Sequence, residues 1–318
     1  MTPSTNFTDV AAFQAYVQTF GPQLISRSFY GNRTAQLVTP HEGVKGKKNL
    51  TILTLGTLGR RWNKAFAPVA GTLKFTPREL VVEKGKFELG FVPQEFEDSY
   101  LGQFRKGTFN NSDEIPFEGY IMNDVAAKQA NEIENSMWRA VKAVSPADTD
   151  TLMMIHDGYL EKIRKDLASG TPHLTPVATP GGAITQNNVI DLMESMWDRL
   201  DADYQDMPMG IFCNPKIWSW YQRAYRNDFT KYTDSMKTGR IKLDFCDGEI
   251  IRTPGMGTSQ RVVMGPVENM HYGYDGLDDA TTFNFEKDHR EVHYWADFKM
   301  GVEFGLLEDG VMVVNDLE

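Results

Sequence analysis

The most regular pattern in the chain lies near its carboxyl end, where apolar residues alternate strictly with other residue types. Every second residue from Val292 to Phe304 is apolar, whereas the positions between them are mostly polar, charged or glycine. This period of two residues is typical of a strand with one buried face. At about 3.3 Å per residue, the 13 positions would extend roughly 43 Å. The pattern therefore predicts one unusually long strand within a terminal β region, residues 276–318.

A helical period dominates residues 116–144. Glycine does not occur there after Gly119, and the next proline after Pro116 is Pro146. The apolar residues recur at multiples of four, which predicts a single long helix. The repeat is not a sustained heptad, so it does not favour a coiled coil. The predicted packing face of the helix consists of Ile121, Val125, Ile133, Met137 and Val141.

Helical and extended patterns alternate through the middle of the chain. Helices are predicted within 150–168, after Thr185 as a cap, and after Asn214-Pro215, where an N-cap residue is followed by a first-turn proline. A stretch rich in Thr, Pro and Gly, residues 171–185, marks a lobe boundary. Apolar strands are predicted at 209–213, 241–246, 250–252 and 261–264. These elements predict a compact α/β lobe over residues 171–275.

The front of the chain offers less that could be buried. A short amphipathic helix is predicted between Thr8 and Gly21-Pro22, with Phe13, Tyr16, Val17 and Phe20 on one face. A loose arm, residues 1–48, follows from this composition. Alternation at Leu73 and Phe75, and again at Phe87, Leu89 and Phe91, predicts a β hairpin within 49–95. Because an isolated two-stranded hairpin is marginally stable in water, we expect it to need a partner surface.

Composition matters mainly through the charge. The 318 residues, 41% apolar and 24% charged, are typical of a globular protein. A length above ~250 residues predicts two lobes, which can be interleaved in sequence. The net charge of -10 argues against a protein that grips nucleic acid phosphates. Residues 1–110 carry 14 Lys and Arg against 8 Asp and Glu, whereas residues 111–318 carry 19 against 35. Either these are unrelated solvated surfaces, or neighbouring copies are complementary and associate.

Motifs that would support catalysis or metal binding are weak. Cys213 and Cys246 lie in apolar, strand-like runs, where a thiol behaves as a small hydrophobe. His289 and His293 are four residues apart, but HREVH is not the HExxH motif of a zinc site. The acidic cluster is interpreted as a solvated helix end; it consists of Asp198, Asp201, Asp203 and Asp206. We therefore expect no catalytic residue, no cofactor and no metal ion.

Two absences bear on location. No window approaches the ~18 consecutive apolar residues of a membrane span. The polar start from Met1 to Asp9 lacks the basic and apolar regions of a signal peptide. We expect the chain to stay in a cytoplasm.

The order of these parts is arm, long hairpin, long helix, compact α/β lobe and long terminal strand. In this order, and in the lengths of the parts, the chain resembles the major capsid protein of tailed double-stranded DNA bacteriophages, which has the Hong Kong ninety-seven type of fold. The segments that carry the resemblance are FELGFVPQEFEDSYLG, IMNDVAAKQANEIENSMWRAV, GIFCNPKIWSWYQRAYR and HYWADFKMGVEFGLLEDGVMVVND.

The resemblance implies an α+β capsid fold with named parts. These are an N-terminal arm 1–48, an extended loop 49–95, a peripheral domain 96–170 with a spine helix 116–144, an axial domain 171–275, and a return to the peripheral sheet over 276–318. It also implies that copies form pentamers and hexamers of an icosahedral shell around the phage genome. Portal and decoration proteins are further implied partners, and the implied location is the virion, assembled in a bacterial cytoplasm.

The hairpin is the implied contact between subunits. We expect Arg60, Arg61, Trp62 and Lys64 to lie on the acidic body of the neighbouring copy, which would also explain the uneven charge. Because the arm meets the hairpin within some 50 residues, we expect a separate scaffolding protein. Some relatives crosslink through a hairpin lysine, and Lys64 or Lys74 could serve, but no matching motif identifies the asparagine. We predict no crosslink.

Two alternatives stay open. A cellular nanocompartment shell has the same fold but encloses a cargo enzyme, and sequence separates the two poorly. A cytosolic α/β enzyme with a pocket in residues 171–264 is the other alternative, although it leaves the long hairpin unexplained.

Overall fold

The computed structural model describes most of the chain. The described residues are 31–55, 59–62, 73–92, 117–147, 149–169, 173–229, 241–243, 248–275, 283–289 and 291–317, with Tyr16, Thr19, Phe20, Gln23, Leu24, Arg27–Phe29, Lys64 and Cys246. Of the predicted N-terminal helix, Tyr16 and Phe20 are helical, with ring centroids 4.7 Å apart. Thr8, Phe13, Val17 and Gly21-Pro22 lie outside the described residues.

Strands and helices occur in the following order along these ranges. The strands are β1 (Thr39–His41), β2 (Lys47–Leu55), β3 (Leu73–Val81), β4 (Glu83–Phe91), β5 (Thr175–Val177), β6 (Met209–Cys213), β7 (Ile241–Lys242), β8 (Glu249–Arg252), β9 (Val263–Pro266), β10 (Met270–Asp275), β11 (Phe283–Asp288), β12 (Glu291–Phe304) and β13 (Val313–Asn315). The helices are α1 (Phe117–Arg139), α2 (Tyr159–Leu167), α3 (Val189–Asp198), α4 (Ala202–Gln205) and α5 (Pro215–Phe229).

The long strand β12 organises the first sheet. All seven alternating apolar residues from Val292 to Phe304 are buried, so the predicted strand is confirmed. One edge of β12 pairs in turn with β11 and β10, and its other edge pairs with β4 along Val292↔Phe91 to Met300↔Glu83. With β1 beside β10, this makes a five-stranded sheet. The buried face of β12 thus forms one side of a large apolar cluster, which is the first core of the protein.

Helix α1 covers much of this core, but it is shorter than predicted. Ile121, Ile133 and Met137 are buried, and Val125 is partly buried against the same cluster. The prediction that Val141 belongs to this face is wrong, because the helix ends at Arg139 and Val141 is 51% exposed. Beyond the helix the chain turns into an extended segment, in which the Val141 amide donates to the Met153 carbonyl oxygen at 2.8 Å.

The six-stranded sheet forms the second lobe, in the order β5-β13-β9-β6-β8-β7. Strand β6 has the predicted bounds, and the Asn214 side chain caps α5 by accepting from the Ile217 amide at 2.8 Å. Thr185 is not the cap of α3, since Asn188 precedes the helix and accepts from the Thr185 amide at 2.7 Å. A separate apolar cluster, centred on Leu192, Met193 and Ile211, fills this lobe.

The hairpin and the lobes differ from expectation in how the strands pair. The hairpin consists of β2 and β3, whereas β4, which carries Phe87, Leu89 and Phe91, pairs with β12. The Phe87 ring stacks on Phe298 with centroids 4.7 Å apart, so β4 packs against buried side chains of β12, which a free hairpin strand could not do. The lobes are interleaved more closely than the predicted limits imply. Strand β10 belongs to the five-stranded sheet, and β13 crosses into the six-stranded sheet, where its residues are buried.

Candidate assembly surface

The β2–β3 hairpin is the least supported element of the fold. Its strands pair in antiparallel register from Lys47↔Val81 to Leu55↔Leu73. Among the described strands they pair only with each other. Nine residues per strand extend about 30 Å. A two-stranded ribbon of this length is marginal without a further surface.

The base of the hairpin is fixed by close packing. Leu80 is fully buried, and a Cβ at Gly273 would lie 2.8 Å from its Cδ2 atom. A Cβ at Gly301 would lie 2.0 Å from the Val81 carbonyl oxygen. Only glycine at these two positions lets the hairpin base lie directly on β10 and β12. The hairpin is therefore attached at one end.

A buried carboxylate reinforces this attachment. Glu303 of β12 accepts from Arg78 of β3, with 3.0 Å between Nη2 and Oε1, and from Lys162 of α2, with 2.8 Å between Nζ and Oε2. Because Glu303 is buried, it needs these cations to offset its desolvation. One side chain thus joins the hairpin, the sheet and a helix.

Two histidines lie beside the same base. Lys48 Nζ is 2.9 Å from Nδ1 of His41, whose Nε2 is 3.0 Å from Nδ1 of His271. Since a lysine can only donate, His41 carries its proton on Nε2 and donates to His271. Burial, and then the charge of His41, lowers the pKa of His271 to about 4. Burial and the charge of Lys48 lower the pKa of His41 as well. Both rings are neutral near pH 7.

The hairpin tip, residues Gly59–Trp62 and Lys64, holds the four predicted contact residues. Arg60, Arg61, Trp62 and Lys64 are all exposed, and the Trp62 side chain is 87% exposed. Tryptophan and arginine are the residue types most enriched among energetically dominant interface positions. The tip can therefore bury a large aromatic ring beside two guanidinium groups if a second surface covers it.

Polar residues that the sequence patterns did not predict hold the arm on α1. The Glu134 carboxylate accepts from the Thr34 amide at 3.0 Å and from its hydroxyl at 2.6 Å, and Trp138 Nε1 donates to the same hydroxyl at 2.8 Å. Ser28 and Gln129 form a second such contact at 2.9 Å. Burial raises the pKa of Glu134, and the Thr34 hydrogen bonds oppose this. The sequence feature that could have indicated this contact is the carboxylate of Glu134, which stands between Ile133 and Met137 on the predicted buried face.

The residues considered for catalysis or metal binding have the following surroundings. Within the described part of the chain, no three His, Cys, Asp or Glu side chains are grouped so as to hold a metal ion. Burial raises the pKa of the Cys213 thiol to about 12, while Cys246 is half-buried. Nδ1 of His289 lies 2.5 Å from Oδ1 of Asp288, and Nε2 of His293 lies 3.4 Å from Oε2 of Glu291. None of the described helices combines the length with the apolar composition that a membrane span requires.

A cavity of about 290 Å³ lies where the second lobe meets α1 and α2. Its lining includes Arg139, Arg164 and Arg261, and Glu161 is the one carboxylate among the described lining residues. Arg164 holds Glu161 through Nε and Nη2, both at 2.7 Å, and this pairing lowers the pKa of that carboxyl. A carboxylate held in this way is a poor general base.

Comparison with known proteins gives a match at the level of structure. No protein-family model and no curated protein sequence matches the chain. A chain of the satellite phage P4 procapsid, solved with its size determination (Sid) protein, is 12% identical with a TM-score of 0.55, and the match covers 99% of this chain and 97% of that chain. The capsid of a native GTA particle is 15% identical with a TM-score of 0.54, covering 91% and 90%. The chain has a capsid fold.

A third structure, from Mycobacterium phage Adephagia, is 8% identical with a TM-score of 0.52 and covers 90% of this chain and 91% of that chain. The capsid fold thus extends over both sheets, α1 and the hairpin, and the fold predicted from the order of parts is confirmed.

Proposed function

We propose that this protein is the major capsid protein of a tailed double-stranded DNA bacteriophage and that its role is structural. The observation that carries the proposal is the β2–β3 hairpin of this capsid fold, whose described residues are attached to the body at the hairpin base and include the exposed Trp62 and its basic neighbours. The hairpin lies across the adjacent copy, and that copy supplies the surface that the hairpin lacks in the monomer.

The energetics of the tip support this arrangement. Burial of a tryptophan removes about 150–250 Å² from water, which is worth roughly 4–6 kcal/mol before the costs of ordering. The basic side chains Arg60, Arg61 and Lys64 face an acidic neighbour, because residues 111–318 carry 35 acidic against 19 basic side chains. Such complementarity sets register and partner more than it adds affinity.

The proposal also has finer parts, which the capsid fold supports without showing them. Copies form pentamers and hexamers that close into an icosahedral shell around the genome, so the protein resides in the virion. The hairpin acts as the extended loop, the five-stranded sheet with α1 as the peripheral domain, and the six-stranded sheet as the axial domain. A separate scaffolding protein, a portal and decoration proteins are the partners.

The test compares the assembly of the wild type with that of a shortened variant that lacks the hairpin tip. In this variant, residues 56–72 are replaced by an Asn-Gly turn that joins the register pair Leu55 and Leu73. We expect wild-type protein, expressed alone or with its adjacent genes, to give closed shells, tubes or capsomer rings in negative-stain electron microscopy. The shortened variant should keep the wild-type circular dichroism spectrum and form no particles. A wild-type protein that stays a monodisperse monomer under every condition contradicts the proposal, and so does a shortened variant that assembles normally. Nuclease-protected double-stranded DNA inside native particles tests the genome component.

A further inference from the structure

A groove of about 720 Å³ lies between the start of β4 and the extended segment that follows α1. One wall is apolar and includes Leu152, Met154 and Ile155. The remaining lining is rich in lysine, with Lys45, Lys84, Lys86, Lys142 and Lys299 against Glu83, Asp150 and Asp297. The lining of this lysine groove therefore carries five lysines against three carboxylates, and two of the five, Lys86 and Lys299, also pair with Glu88 and Asp275, which are not lining residues.

The lysines are placed against one another. Lys84 of β4 lies directly opposite Lys299 of β12 in the strand register, and Lys299 Nζ donates to the Lys45 carbonyl oxygen at 2.9 Å. Like charges directly opposite on neighbouring strands are destabilising. Asp275 lies 3.3 Å from Lys299, but Lys45 and Lys84 form no ion pair with any described residue. The repulsion at Lys84 is therefore not offset by a carboxylate of any described residue, whereas a bound carboxylate would offset it.

The apolar side of the groove is also exposed. Of the apolar residues that line it, Met154 is exposed, at 42%. The segment is held by a backbone hydrogen bond from the Ala143 amide to the Met154 carbonyl oxygen at 2.9 Å. The wall is therefore formed before any partner arrives, which reduces the ordering cost of binding.

The two walls are tied together. Lys142 forms an ion pair with Glu83 across the groove. A Cβ at Gly85 would lie 2.7 Å from the Phe298 ring and 3.2 Å from Ile155 Cδ1, so glycine there lets the floor close. The groove is a fixed feature, with apolar contacts on one side and ammonium groups on the other.

We infer that the lysine groove receives a segment of a second copy of this chain that carries carboxylates beside apolar residues. The inference rests on the proposed shell function and adds a second intersubunit contact, separate from the hairpin tip. Charge complementarity favours this occupant, because residues 111–318 of every copy carry 16 more acidic than basic side chains (35 − 19). A groove on one copy and an acidic segment on the next make a heterologous contact, the type that forms a ring when the rotation between copies closes.

The test compares Lys45→Gln combined with Lys84→Gln against the matched surface variant Lys128→Gln. Lys128 lies on the exposed side of α1, 3.5 Å from Glu132. We expect the double variant to melt no lower than the wild type, because repulsion within the groove falls. The subunit concentration at which particles appear should rise about tenfold, which corresponds to about 1.4 kcal/mol per subunit. Lys128→Gln should leave this concentration unchanged, and the difference should shrink at high salt.

The possible outcomes separate this inference from the proposed function. Equal threshold concentrations for the double variant and the wild type, with shells in both, overturn the groove contact and leave the shell function standing. No particles from the wild type overturn both. A double variant that assembles normally alone but fails with a co-expressed scaffolding protein assigns the groove to that protein and overturns the second-copy occupant. A Met154→Asp variant, at a residue of the apolar wall, gives an independent measurement and should also raise the threshold.

Discussion

Arg78 on β3 and Glu303 on β12 form an ion pair, with 3.0 Å between Nη2 and Oε1, that joins the hairpin to the five-stranded sheet. Glu303 is buried and has Lys162 as its second cationic partner. The free energy of such a pair lies mainly in what its loss would expose, since a buried carboxylate with too few donors pays its desolvation cost. The direction in which the hairpin leaves the body is fixed at this point.

We expect Arg78→Ala to lower the free energy of unfolding by roughly 1–3 kcal/mol, because Glu303 keeps only one cation. Urea unfolding followed by circular dichroism measures the change. The matched control is Lys47→Ala at the same hairpin base, where both partners of the Lys47–Glu79 pair are more than half exposed. The control should show no measurable change. Equal losses in the two variants would contradict the role of Glu303.

Aspartate substitutions distinguish the buried face of α1 from the segment beyond it. Ile133 is fully buried in the first core, so Ile133→Asp places an unpaired carboxylate there and should cost several kcal/mol, on the order of 3–5, leaving the protein insoluble. Val141→Asp should stay soluble and folded, because Val141 lies outside the helix and is half exposed. Soluble yield and melting temperature report both. An insoluble Val141→Asp would show that the helix extends further.

The long strand was predicted correctly from the sequence, whereas the end of the long helix was not, and this difference has a physical cause. Strand β12 is predictable because one face is buried over its whole length, so apolar residues alternate with other residue types along the sequence. The end of α1 is not, because Ala140 to Val144 are compatible with a helix. What stops the helix lies further along the chain. The Gly158 amide donates to the Ala140 carbonyl oxygen at 2.8 Å, and a Cβ at Gly158 would lie 2.7 Å from the Trp138 backbone.

Pairings between distant residues account for the rest. The four tip residues could be named from the sequence because a basic, aromatic stretch in a hairpin has few neighbours to bury against. The anchor of that hairpin could not, since Arg78 and Glu303 are 225 positions apart. The same holds for Thr34 and Glu134, which are 100 positions apart. Local patterns specify elements, whereas a carboxylate and its distant donor meet only in the folded chain.

Acid should destabilise the folded subunit through His156. Burial, and then the charge of Lys162, lowers the pKa of His156 to about 4 from the ordinary 6.5. Between these pH values the unfolded chain binds a proton that the folded chain does not, so the free energy of unfolding falls as the pH falls. The slope is about 1.4 kcal/mol per pH unit, for a total of roughly 3 kcal/mol.

The measurement for His156 is the free energy of unfolding in urea at several pH values from 4 to 7. His156→Gln should reduce the slope of the profile, while the slope from His271, whose pKa is also lowered to about 4, remains. A variant with the wild-type slope would show that His156 is protonated equally in the folded and unfolded chain.

Reversing the charge of the hairpin tip tests the acidic neighbour directly. In the triple variant Arg60→Glu, Arg61→Glu and Lys64→Glu, the tip repels a surface with excess carboxylates, so particles should be lost at low salt. The Debye length falls from about 30 Å at 0.01 M salt to about 8 Å at 0.15 M, so part of the assembly should be restored as the salt concentration rises. Trp62→Ser is the matched comparison, because it removes apolar burial and leaves the charge unchanged. Its assembly defect should depend little on salt, since the hydrophobic contribution is not a screened charge interaction. Light scattering across a salt series separates the two. If both variants assemble like the wild type at every salt concentration, the hairpin tip does not contact the neighbouring copy.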